Sequence, residues 1–326
     1  MNRDKKIIII TGAAGFIGSG VVSYLNARGN QNLVLVDVLD HPDKKRNLEG
    51  KRYNCFLGIS ELAPWLKGRE SEIEAIIHLG ACSDTMETNL AYLQENNTNY
   101  TRELATYALK NGIRFIYASS AATYGDGASG FSDNHDLLET LQPLNLYGAS
   151  KHNFDLWAKK EGVLDQIVGL KYFNVFGPNE CHKGQMASLV YKMVPLAQNE
   201  GVVRLFKSTE PERFGDGDQC RDFIYVKDAV RMTCDFLDNK IGGIFNIGRG
   251  SPTTWNLLAQ AIFEALGKTP NIEYINMPHD LVSKYQNYTC ADMSKYEAAQ
   301  KLSFDYDIKQ AVQDYVQNYL LKDLRW

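Results

Sequence analysis

Four isoleucines in a row, Ile7 to Ile10, run through Thr11 into a turn with glycine at positions 12, 15 and 18. No other stretch narrows the possible folds as much. Consecutive β-branched residues with no polar alternation form a short strand buried on both faces. Phe16, Ile17, Val21, Val22, Leu25 and Ala27 then recur at helical spacing, so a helix follows at once. Strand, glycine turn and helix is the order that builds a dinucleotide site. The first glycine turns the chain tightly, the second admits a pyrophosphate, and the third lets the helix lie close on the sheet. The anion then meets free N–H groups at the helix N-terminus. A glycine triplet alone would fit an ordinary tight turn, and its place directly after a buried strand gives it meaning. Gly12, Gly15, Phe16, Ile17 and Gly18 are therefore expected at a cofactor.

Further strands follow at intervals that leave room for helices. Leu33 to Val36 is a second buried run, and it ends in Asp37. An acid about twenty residues beyond the glycine turn is where an adenosine ribose is held, and it favours NAD over NADP. Lys44, with Lys45 and Arg46 beside it, is within reach of the same place and suits a 2′-phosphate, so both cofactors stay open. Ala75 to Ala81 is a third core strand running into small residues, with Gly80, Ala81 and Cys82 expected beneath the cofactor. His78 inside it reads more readily as a hydrogen-bonded core histidine than as a catalytic one. The next helix is expected to open at Asn96–Asn99, where capping explains the asparagines and one of them braces the neighbouring strand.

Phe115 to Gly125 reads as another central strand, with Ser119, Ser120 and Thr123 where it leaves the sheet. Strand C-termini face the ligand in open α/β sheets. Tyr147 and Lys151 follow at the start of a helix and share a face at i, i+4. Together these residues suit alcohol and ketone chemistry with a nicotinamide. A hydride leaves a carbinol carbon only as the hydroxyl proton is removed, which requires a base within hydrogen-bond reach. Tyrosine, with a pKa near 10, is too weak alone, and a neighbouring ammonium favours the phenolate. Tyr147 is the expected acid–base group, Lys151 its electrostatic partner and ribose ligand, and Ser120 the donor that holds the reacting oxygen. Ser120 is preferred to Ser119 because alternate strand residues face opposite ways.

The glycine turn, the strand end Ser119-Ser120-Ala121-Ala122-Thr123-Tyr124-Gly125, the Tyr147/Lys151 pair and the run Arg221-Asp222-Phe223-Ile224-Tyr225-Val226-Lys227-Asp228 resemble the extended short-chain dehydrogenase/reductase family, which contains nucleotide-sugar epimerases and dehydratases. The resemblance covers nearly the whole chain. It implies an α/β fold: a Rossmann-type doubly wound parallel sheet with a smaller, discontinuous α/β substrate domain. Residues 1–173 with 222–249 would form the cofactor domain, and 174–221 with 250–326 the nucleotide-sugar domain. Glu180-Cys181-His182-Lys183-Gly184-Gln185-Met186-Ala187-Ser188 is similar to one branch of that family, the ADP-glycero-manno-heptose 6-epimerases. That branch implies hydride removal and return at C6″ through a 6″-keto intermediate, in heptose supply for lipopolysaccharide core. It also implies NADP as cofactor, ADP-heptose as substrate, and a homo-oligomer of five subunits. Lys183 would be a second catalytic base that also touches the cofactor, with Asn96 and Val175 as further cofactor contacts. Ser120, Asn174, Phe206, Arg221 and Tyr285 would hold the substrate, the arginine taking the diphosphate. The chain departs from the branch at Gln185, where serine is common, at Lys192, where histidine is common, and in a longer loop from Glu212 to Gln219.

Two rival readings exist. One is another NAD(P)-dependent epimerase or dehydratase for a different nucleotide sugar; a dehydratase usually carries an acid near the catalytic hydroxyl, where this chain has Ala121 and Ala122. A non-catalytic cofactor sensor tends to lose the tyrosine–lysine pair, which is kept here. At 326 residues the chain can bury a large core, and a net charge of −4 gives no basic footprint for nucleic acid or an anionic membrane. The charged start, Met1 to Lys6, leads into an apolar run too short for a signal segment, so a cytoplasmic enzyme is expected. Six scattered cysteines without a Cys-x-x-Cys pair suggest neither a disulfide framework nor a metal site.

Overall fold

The structure, a computed structural model, describes residues 6–282 and 285–326. The charged start 1–5 lies outside the described residues. Seven strands form one sheet: β1 (Ile7–Thr11), β2 (Leu33–Val36), β3 (Cys55–Leu57), β4 (Ile73–His78), β5 (Arg114–Ser120), β6 (Val168–Tyr172) and β7 (Gly243–Ile247). Every pairing is parallel, in the order β7-β6-β5-β4-β1-β2-β3. This is the doubly wound arrangement expected. The chain runs from β1 toward one edge and from β4 toward the other, so their C-terminal ends flank the crevice where such sheets take ligands. β1 and β2 are buried on both faces, as a sheet covered by helices on either side requires.

Helix α1 (Phe16–Ala27) follows β1 without delay. Gly12 has φ +66, and a Cβ there would stand 2.6 Å from the backbone nitrogen of Gly80. The turns after β1 and β4 thus touch main chain to main chain, which gives both glycines a packing role beneath any ligand. The helix expected from Asn96 begins earlier. An α segment, Leu90–Leu93, runs into a π segment, Gln94–Asn99, and on into α2 (Tyr100–Lys110). Asn89 caps it, so the asparagines at 96–99 lie inside a helix, where the wide π turn re-aims them. Helix α3 (Leu146–Lys160) carries Tyr147 and Lys151, and Asn145 caps it by accepting from Gly148 N at 2.7 Å.

The largely apolar run 167–176, one stretch in the sequence, forms two strands. β6 ends at Tyr172, and Asn174–Phe176 pairs instead with Phe223–Tyr225 in a separate parallel ribbon. Two more small ribbons, Val203–Phe206 with Ile272–Ile275 and Cys220–Arg221 with Thr253–Thr254, lie outside that sheet. Among the described residues no helix is long and apolar enough to cross a membrane.

Candidate active site

A cavity of about 590 Å³ opens at the C-terminal ends of β1 and β4. It is lined by Gly12, the helix start Gly15–Gly18, Asp37, Lys44, Gly80, Ala81, Cys82, Asn96 and Lys183, together with Thr11, His41, Tyr92, His182 and Met186. The residues fit a dinucleotide. Helix α1 has no side chain capping its N-terminus and no acid in its first turn, so its leading N–H groups are left for an anion. Asp37 accepts from Ala14 N at 2.8 Å and Val38 N at 2.7 Å, which holds its carboxylate at the cavity wall. Lys44 Nζ lies 3.2 Å from Asp37 and 2.9 Å from Asp40. Burial alone would lower this ammonium, but Asp40 and Asp37 carry it above its ordinary range. Tyr147, Lys151 and Val175 are not in this cavity's lining.

His78 is a core histidine. Its ring bonds Thr11 Oγ1 at 2.7 Å and Thr101 Oγ1 at 2.9 Å, and burial pushes it down to about 3. Asn97, not Asn96, does the bracing. Its amide both donates to and accepts from the backbone of Cys82, at 2.9 and 2.8 Å, and it donates to Ser150 on α3 at 2.9 Å.

At the end of β5 the two serines part. Ser119 Oγ donates to Asp155 at 2.7 Å, whereas Ser120 Oγ accepts from Ala122 N at 3.1 Å and faces the Tyr147 phenol. Burial raises the phenol above its usual value, and the Ser120 hydroxyl opposes that. Lys151 is buried, and its Nζ donates to Ala118 O at 2.9 Å, the carbonyl one residue before the serines. Burial lowers this ammonium to about 8, with Asp155 and then Cys82 pushing it back up. Lys151 is not among the groups that act on the phenol here.

Lys183 reaches the cavity from a short turn, Cys181–Met186. Burial lowers its ammonium while Glu180 raises it. Glu180 is fully buried and gathers the turn, accepting from Gly177 N at 3.2 Å, Ser188 N at 2.5 Å and Ser188 Oγ at 2.7 Å. Asn179, at φ +79, ties the same turn to α1 through Ser19 Oγ at 2.9 Å, and Asn47 ties it to Ala14 of the glycine turn. His182, beside Lys183, also lines the cavity, and burial followed by the Lys44 and Lys183 charges lowers it to about 4. Sequence reasoning passed over it, although it stands in the very run that marks Lys183.

Phe206, Arg221 and Tyr285 come together outside the seven-stranded sheet. The Arg221 guanidinium lies 5.1 Å from the Tyr285 ring centre and 5.7 Å from that of Trp255, and the Phe206 and Tyr285 rings meet edge-on at 6.1 Å. Trp255, at the start of a helix, fixes Tyr285 by donating to its hydroxyl at 2.8 Å. Arg221 is buried, and among the described residues no carboxylate pairs with it. A buried cation held by aromatic faces and a carbonyl is a place for an anion. Asn174 is exposed, with its backbone N–H on Asp222 O at 3.0 Å.

A doubly wound parallel sheet whose crevice opens at the β1/β4 switch point, with a glycine turn and an uncapped helix start lining it, is a dinucleotide-binding framework. The chain belongs to the NAD dependent epimerase/dehydratase family, which matches residues 8–248. It is 45% identical over 322 residues to an ADP-L-glycero-D-manno-heptose-6-epimerase of Nitratidesulfovibrio vulgaris, covering 96% of this chain and 97% of that one. It is 42% identical to the protein of the same name in Fusobacterium nucleatum, covering 97% and 99%. A crystal structure of the Helicobacter pylori protein of that name superposes with a TM-score of 0.81 at 25% identity, covering 97% of this chain and 96% of that one.

Proposed function

We propose that the protein interconverts ADP-D-glycero-manno-heptose and ADP-L-glycero-manno-heptose by inverting C6″, with NADP as cofactor. The carrying observation is the convergence of Ser120, Tyr147 and Lys151 at the end of β5 in a chain whose near full-length relatives bear that activity's name. When bound, the nicotinamide takes a hydride from the carbinol carbon and returns it. Tyr147 removes the hydroxyl proton, Ser120 holds the reacting oxygen, and Lys151, turned from Ala118 O toward the phenol and ribose, favours the phenolate. Arg221, with Tyr285 and Phe206 about it, takes the diphosphate.

Inversion follows from geometry. C6″ is exocyclic, so rotation about C5″–C6″ presents the other face of the ketone while the ring stays in its pocket. The oxygen then lies in a new place and needs a proton donor there, since one rigid tyrosine does not serve both positions within about 3 Å. Lys183 is that second group. Lys44 supports NADP, because an ammonium already balanced on two carboxylates can transfer to a 2′-phosphate beside Asp37.

The test is deuterium at C6″: the label stays in the product, and no solvent deuterium enters that carbon. Solvent exchange there would mean carbanion chemistry and overturn the reading. Tyr147→Phe is expected to lower turnover by about a hundredfold or more with cofactor still bound, and Ser120→Ala by less. Lys183→Ala is expected to be nearly as inactive as Tyr147→Phe while still binding substrate, and full activity would remove only the two-base part. Mass spectrometry of the released cofactor decides between NADP and NAD.

A further inference from the structure

Beneath Ser120, Tyr147 and Lys151 lies a polar network that the chemistry above does not use. Asp155 and Lys171 are both fully buried, and Lys171 Nζ donates to Asp155 Oδ2 at 2.8 Å. The same carboxylate accepts from Tyr117 OH at 2.8 Å and from Ser119 Oγ at 2.7 Å. Lys171 Nζ also donates to Thr123 Oγ1 at 2.6 Å, and that hydroxyl donates to Ser120 O at 2.8 Å. Asp155 stands on α3 about one turn beyond Lys151 and two beyond Tyr147, Ser119 and Ser120 end β5, and Lys171 lies on β6. The network therefore joins three elements at the level where the reactive side chains leave them. A buried ion pair gains little net stability, because desolvation offsets the attraction, and its bonds fix geometry.

We propose that Asp155 and Lys171 are positioning residues for the proton-transfer group: they lock the end of β5 to α3 and hold a fixed negative charge one turn from Lys151. This rests on Tyr147 and Lys151 being the acid–base pair. The groups facing Lys151 support it. Burial drives its ammonium down to about 8, and Asp155 opposes that first, then Cys82 from the loop after β4. His78, at the end of β4, feels Lys151 in turn, and Tyr147 shares its helix. Removing the Asp155 charge lowers Lys151 further. A lysine that deprotonates earlier stops favouring the phenolate earlier, so the alkaline limb of the pH profile moves to lower pH.

The experiment is Asp155→Asn in the full chain with its cofactor, which removes the negative charge, leaves Lys171 in place and nearly keeps the volume. A native circular dichroism spectrum is expected, with the alkaline limb of kcat lowered by about one pH unit, a tenfold loss above it, and KM unchanged. A folded variant with the wild-type limb would overturn the proposal. Should that variant not fold, Tyr117→Phe with Ser119→Ala strips two donors from Asp155 and keeps both charges. There kcat is expected to fall severalfold at constant KM, and an unchanged kcat overturns the positioning role. Tyr147→Phe, measured alongside, separates the two levels: if it stays active the acid–base reading fails, and if it is inactive while the limb stays put, only this inference fails.

Discussion

The two sides of the candidate site are held by opposite means. Ser120, Tyr147 and Lys151 sit on regular elements, a strand end and a fifteen-residue helix, joined from below by a fully buried ion pair. Lys183 sits on a six-residue turn gathered by one carboxylate, Glu180. The first side is part of the core, so disturbing it should disturb the whole molecule. The second can change locally. That division suits a reaction in which one proton-transfer group is fixed and the other must meet an oxygen that moves.

The largest effect should come from Lys171→Met alone. It leaves the Asp155 carboxylate buried without its cation, which costs about 3–5 kcal/mol. Urea unfolding is expected to show this as a global loss. A loss below about 1 kcal/mol, the range of a surface pair, would mean that the pair does not anchor this side.

Glu180→Ala should cost less and act in one place. It strips the acceptor from two backbone N–H groups and the Ser188 hydroxyl, but water entering the opened surface turn takes its place, so each group costs less than the about 1–3 kcal/mol of one left unsatisfied. Hydrogen exchange is expected to speed up across 177–188 and stay slow in α3. Equal acceleration in both would erase the contrast between the sides.

The histidines sharpen it through pH. His78, packed between Thr11 and Thr101, is held down to about 3. The unfolded chain therefore takes up a proton near pH 6.5 that the folded one refuses, so its contribution is whole above that value and is lost as pH falls toward 3. The slope is at most about 1.4 kcal/mol per pH unit. His182, on the irregular turn, shifts the same way, to about 4. Stability measured from pH 7 to pH 4 is expected to keep most of its slope in His182→Asn, while the pH dependence of cofactor affinity changes. A slope abolished by His182→Asn would show that the turn is part of the global unit.

The same division decides what the sequence could say. β1, β2, β4 and β5 are apolar runs closed by glycine, acid or hydroxyl, and their burial on both faces writes itself into composition. β3, three half-buried residues at the sheet edge, leaves no such run. The break at Phe173 is invisible because both halves of 167–176 are equally apolar, and only the partner strands differ. Asp155 could have been found as a carboxylate on the buried face of α3 between Phe154 and Ala158, four residues past Lys151. Lys183 could not be found by periodicity, since an irregular turn has none, and only its resemblance to a known run marked it. Nothing in the sequence joins Trp255 to Tyr285, thirty residues away, so only the fold brings the two together.

Gly184 gives the smallest expected effect and the finest test. It has φ 52 and ψ −119, a conformation that side-chain-bearing residues rarely adopt, yet a Cβ there would meet nothing within 4 Å. Gly184→Ala therefore adds strain with no collision, at a cost of about 1–3 kcal/mol, and the turn can shed part of it by shifting. Because Lys183 precedes it directly, the shift should move that ammonium while leaving Tyr147 and Ser120 in place. The expected result is a severalfold drop in kcat with a melting temperature lowered by no more than about a few degrees. Labelled at C6″, the substrate should still be oxidised to the ketone on the Tyr147 side, so the ketone accumulates relative to wild type. If turnover falls with no such accumulation, the two sides are not separable steps of one reaction, and the turn would be acting on substrate binding instead.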